Sequence, residues 1–99
     1  MNDDELLNLV RNRAGAFEAY SLREFKVWRK TPKDGGQREL RVTILDAGPD
    51  EGRNRYMVEV KDAEPTGEAD PPYSLSNPDD TIEHALSGVH WNEFDRSIP

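Results

Sequence analysis

Two runs of alternating residues dominate the chain. Leu40, Val42 and Ile44 alternate with Arg41 and Thr43, and further on Tyr56, Val58 and Val60 alternate with Met57 and Glu59. A period of two puts an apolar row on one side of a strand and a polar row on the other. The runs therefore predict a hairpin within Arg38–Lys61, joined at Gly48-Pro49-Asp50-Glu51-Gly52. Upstream, Leu22–Lys30 reads as a further strand. There Phe25 and Val27 share one side, whereas Leu22 and Trp28 lie on the other with Glu24 and Lys26. Thr31-Pro32-Lys33-Asp34-Gly35-Gly36 supplies the turn into 38–45. Three consecutive antiparallel strands make a meander.

A different period brackets the strands. Leu6, Leu9 and Val10, with Leu7 beside them and Ala14 beyond, form a helical stripe. Asn2, Asp3 or Asp4 is placed to cap it, Arg11 and Arg13 fall in its last turn, and Gly15 is a natural stop. This helix is expected to lie as a lid on the core. Phe17 and Tyr20, in the connector, are expected at the core's edge. Near the other end Ile82, Ala85, Leu86 and Val89 recur at helical spacing. Asn77 or Ser76 is the expected cap, and Pro78 the expected first helical residue. Trp91 and Phe94 are expected to fold back onto the core.

Between these elements, 62–76 reads as a mobile acidic Pro-rich loop, with Tyr73-Ser74-Leu75-Ser76 suited to a short edge strand. The expected architecture is a single α+β domain over 1–99, two-layered and in the order α-β-β-β-α. It has a three-stranded antiparallel meander, room for a short fourth edge strand, and both helices on one face.

Composition narrows the possibilities. Hydrophobic residues make up 34% and charged residues 33%, so the core must be thin. The chain has no cysteine, which removes disulfides, thiolate ligands and cysteine nucleophiles. An acidic Met-Asn-Asp-Asp-Glu start and the lack of a long apolar run lead to the expectation of a cytoplasmic protein with no membrane association. The net charge of −7 is uneven: 62–99 hold nine acidic side chains against Arg96 alone, and 1–61 hold eleven acidic and twelve basic. The basic ones concentrate between Arg23 and Arg41, which makes the molecule electrically two-ended.

No stretch carries recognisable chemistry. Gly35-Gly36 lacks the strand-to-helix context of a phosphate loop, and the carboxylates of Asp50 and Glu51 do not match the spacing of a calcium loop. His84 and His90 are six apart, on opposite sides of a helix, without the spacing of a zinc pair. His84 reads as a solvated surface residue, and His90, near Trp91 and Asp95, as a hydrogen-bonded residue at the core's edge. No serine sits in a nucleophile elbow. The expectation is a protein that is not an enzyme, with no catalytic, metal or cofactor residues and no small-molecule substrate.

What the pattern does leave is a sheet face without a cover. The candidate interaction surface is Arg23, Lys26, Trp28, Lys30, Arg41 and Met57, since tryptophan, methionine and arginine are enriched in interface cores. The competing arrangement folds Trp28 over the sheet edge beneath the Pro-rich loop.

Two short resemblances accompany this reading. The element order resembles that of the double-stranded-RNA-binding domain, which reads its duplex with a lysine-rich start to the second helix. Here that start is Asn77-Pro78-Asp79-Asp80-Thr81, which repels phosphate, so the order implies no such function. Asp80-Thr81-Ile82-Glu83-His84-Ala85-Leu86 is similar to the Asp-Thr-x-Glu-x-Ala-Leu helix entry of small antitoxins of the HicB type, over seven residues. The functional expectation is a noncatalytic protein-binding or regulatory module, antitoxin-, inhibitor- or adaptor-like, able to self-associate as a homodimer or to bind a protein partner. The alternatives are nucleic-acid binding through Arg23, Lys26, Arg29, Lys30 and Arg41, and an acidic mimic of nucleic acid.

Overall fold

The computed structural model describes residues 1–32, 35–63 and 71–95. Helix α1 (Asp3–Ala14) leads into strands β1 (Ser21–Lys30), β2 (Gln37–Asp46), β3 (Tyr56–Asp62) and β4 (Tyr73–Leu75), followed by helix α2 (Ile82–Ser87). Short 3₁₀ segments occupy Pro49–Asn54 and Trp91–Asp95. The four strands form one antiparallel sheet in the order β1-β2-β3-β4. This is the expected α+β domain, and the short fourth strand is present.

Register assigns the two faces. Leu40, Val42 and Ile44 of β2 stand opposite Asp62, Val60 and Val58 of β3 on one side, and opposite Val27, Phe25 and Arg23 of β1 on the other. These side chains share the face that carries the core. There Leu40, Val58, Val60 and Phe94 are fully enclosed, with Val42, Ala85 and Val89 nearly so. Trp91 packs against this cluster, its ring 6.5 Å from that of Phe94. The aromatic tail thus folds back as the sequence suggests.

The helices differ from expectation in detail. α1 is capped by the Asn2 side chain, which accepts from Glu5 N–H at 2.8 Å. It ends in a Schellman turn, with Gly15 at φ 64° and the Gly15 and Ala16 N–H groups donating to Asn12 and Arg11 carbonyls. Its docking side is not the apolar stripe. Leu7 alone is buried, beside Gly48, where a β-carbon would lie 3.4 Å from the leucine methyl. Arg11 donates to the Ala47 carbonyl at 3.0 Å, and Asp4 meets Arg55 at 3.3 Å. Positions 4, 7 and 11 thus face the body, and Leu6, Leu9 and Val10 remain exposed. Phe17, expected at the core's edge, is 96% exposed, at the rim of a cleft with Arg11, Ala47 and Met57 rather than in the core cluster.

α2 begins at Ile82 rather than at Pro78. Asp79 is held in backbone pairing with Tyr56, each donating to the other's carbonyl at 2.9–3.0 Å, so 77–80 stay outside the helix. Thr81 becomes the cap, accepting from His84 N–H at 3.0 Å. The predicted loop 62–76 also shrinks. Asp62 ends β3 in a buried site, Pro72, Ser74 and Ser76 are buried, and 64–70 lie outside the described residues. His90, expected at the core's edge, is exposed, and Asp95 binds Arg29 instead, at 2.7 Å.

Arg38 and Asp62 form an ion pair at 2.5 Å with both side chains almost wholly enclosed. Removing one partner deletes this contact while the other charge stays buried, which costs about 3–5 kcal/mol. Asp62→Ala is expected to lower unfolding free energy by about that amount in urea titrations, whereas Arg38→Met/Asp62→Leu recovers most of it.

Candidate protein-interaction face

The second face of the sheet carries Leu22, Glu24, Lys26, Trp28 and Lys30 from β1, and Glu39, Arg41, Thr43 and Leu45 from β2. Met57, Glu59 and Lys61 continue it on β3, and Tyr73 and Leu75 on β4. The core cluster and α2 lie on the opposite side, and among the described residues no helix is stacked over the β1 part of this face, while Arg11, Phe17 and Tyr20 border Met57 at its far corner. Trp28 is 61% exposed and Leu22 64% exposed, with Tyr73 and Leu75 about half exposed.

Of the six residues singled out from sequence, Lys26, Trp28, Lys30, Arg41 and Met57 share this face. Arg23 does not. Its register with Ile44 puts it on the core face, where it lines a cleft of about 380 Å³ with Asp46 and Arg55. Arg29 lies on the core face too, in its pair with Asp95. What sequence reasoning missed are Tyr73 and Leu75, whose period-two spacing was visible but whose face is set by the pairing of Leu75 with Glu59.

Charges on the open face are interleaved. Lys26 meets Glu39 at 3.2 Å, Arg41 meets Glu24 at 3.2 Å, and Lys61 approaches Glu59 at 3.9 Å. Tyr73 donates its hydroxyl to Glu59 at 2.9 Å, a hydrogen bond that raises the phenol's pKa above its ordinary value. The face therefore presents apolar side chains framed by balanced ion pairs, not a basic field.

The polar clusters elsewhere are accounted for by structure. Arg55 clamps Asp46 through two hydrogen bonds, at 2.7 and 3.0 Å, and stacks over the Tyr56 ring at 4.9 Å. That guanidinium holds the Asp46 carboxyl below the usual range. Among the described residues, one group of acid and histidine side chains brings three possible metal-donor atoms within 4.8 Å: Asp79, Asp80 and His84. Here Asp80, just ahead of α2, accepts from His84 Nδ1 at 2.9 Å, closing the entry to the helix. No described helix is long and apolar enough to cross a membrane. Comparisons with family models, curated proteins and solved structures give no match to this chain.

The hydrogen bond that His84 donates to Asp80, with the charges of Asp80 and Asp79, raises the His84 pKa above its ordinary value and lowers that of Asp80. A raised histidine contributes stability that is complete below about 6.5 and disappears as pH climbs through the folded pKa. In an NMR titration the His84 ring is expected to titrate above 6.5, and Asp80→Asn is expected to move it down. An unchanged midpoint in the variant counts against the bond.

Proposed function

We propose that this chain is a noncatalytic protein-binding module, of the kind that serves as an antitoxin, inhibitor or adaptor. The single observation that carries the reading is Trp28, 61% exposed on a part of the sheet face that no other element covers among the described residues. A tryptophan loses a large apolar area only when something is laid over it, and it is among the side chains that most often anchor an interface. Elsewhere on the same face, Leu22, Tyr73 and Leu75 supply further exposed apolar area. Lys26, Arg41 and Glu24 offer a polar rim that sets orientation.

The charge pattern supports a protein partner over a nucleic acid. Phosphate binding draws on an uncompensated basic surface, yet Lys26 and Arg41 each touch a carboxylate, and Arg23 and Arg29 are turned to the other side. The partner fitted by this face is a protein presenting an apolar patch with charges of both signs.

A photo-crosslinking amino acid at position 28 is expected to give discrete protein adducts, and one at Glu83 on α2 none. Unlabelled protein should compete for the adducts, with Trp28→Ala at least ~10-fold weaker as a competitor. Competition by Trp28→Ala equal to that of the parent chain overturns the reading, as does labelling at 83 alone.

A further inference from the structure

β1 is an edge strand of ten residues with no bulge, no proline and an unbroken register to β2. Edges of that length are ordinarily blunted, because their free N–H and C=O groups invite another strand. Thr31 N–H donates to the Gly36 carbonyl at 2.8 Å where the hairpin begins. Antiparallel ladders alternate, so the β1 residues whose backbone groups turn outward are Leu22, Glu24, Lys26, Trp28 and Lys30. The strand is also bare on both flanks. Leu22 and Trp28 are exposed on the open face, and on the core face Phe25 is 50% and Val27 36% exposed, because the core cluster gathers over β2, β3 and α2.

We propose that the occupant of this edge is a second copy of the same chain, pairing β1 to β1 antiparallel about a two-fold axis at Phe25. The inference deepens the binding-module reading and rests on it. In this register Glu24 stands opposite the partner's Lys26 and Lys26 opposite the partner's Glu24. Leu22 meets the partner's Trp28 twice over, and the two Phe25 rings meet at the axis, flanked diagonally by Val27. All the outward backbone groups from Leu22 to Trp28 find their counterparts, because even-numbered residues face even-numbered residues.

Neighbouring registers are worse in identifiable ways. Centring the axis on Lys26 opposes Lys26 to itself and Arg23 to the partner's Arg29. Centring it on Glu24 opposes Glu24 to itself. Centring it on Val27 opposes no like charges, but it sets Trp28 against Lys26 and leaves Leu22 without a counterpart. Like charges directly opposite destabilise a ladder, so the Phe25 axis is the one register that joins charge complementarity with apolar contact on both faces. Pairing there leaves the open face uncovered and makes it continuous across eight strands.

The test is a charge exchange read by analytical ultracentrifugation. Glu24→Lys and Lys26→Glu are each expected to weaken the dimer about 10-fold or more. An equimolar mixture of the two restores it as a heterodimer, as does the double variant Glu24→Lys/Lys26→Glu, and thermal melts verify that each is folded. Since the chain has no cysteine, Phe25→Cys provides an independent readout: it is expected to form an intermolecular disulfide on mild oxidation, and Val27→Cys is not. Failure of the mixture to dimerise, or crosslinking through Val27→Cys instead, overturns the register. A strictly monomeric chain that still gives competed adducts at position 28 overturns the pairing and leaves the binding-module reading standing. A chain that dimerises by the charge exchange and whose adducts at position 28 are only with its own second copy keeps the pairing and overturns a separate protein partner, and dimerisation with no adduct at position 28 overturns the register.

Discussion

The size of the roof governs this molecule. α2 has six residues, about 9 Å of helix, laid against a sheet whose longest strands run about 33 Å. With the Trp91–Asp95 turn it covers β2 and β3, and the enclosed side chains are confined to that strip: Leu40, Val42, Val58 and Val60 below, Ala85, Val89 and Phe94 above. Apolar residues beyond the strip have no such roof among the described residues. Phe25 and Val27 point to the core side and are still partly wet. Exposure of β1 therefore follows from helix length, not from a polar sequence.

Where apolar cover runs out, charge pairs take over the fastening. Arg38–Asp62 closes the end of the β2–β3 ladder, Arg29–Asp95 ties β1 to the C-terminal turn, and Arg55 joins α1 to Asp46. These contacts specify geometry more than they add stability, since desolvation offsets much of a pair's attraction. Salt-bridged periphery around a narrow core is consistent with a chain that is one-third charged.

The strands and their faces were legible because a period of two leaves little freedom: once Leu40, Val42 and Ile44 turn inward, Trp28 and Met57 must turn outward. Caps were legible for the same local reason at Asn2 and Gly15. What escaped depended on long-range pairing. Pro78 looked like a helix start, but Tyr56 captured the Asp79 backbone and delayed the helix to Thr81. The stripe of Leu6, Leu9 and Val10 promised a lid, yet α1 is held through Asp4, Leu7 and Arg11, contacts made to Arg55, Gly48 and Ala47, far along the chain. Arg23 joined the candidate surface by proximity in sequence and left it by parity.

The sheet's two margins are unequal. β1 offers ten residues of regular backbone, whereas β4 has three, entered from Pro72 and followed by a stretch in which Ser76 Oγ, rather than a carbonyl, takes the Val58 N–H. Strand addition has a usable template at one margin and scarcely any at the other. Were a strand added at β1, addition would stop there, giving a closed particle where a two-margined sheet would elongate into a filament.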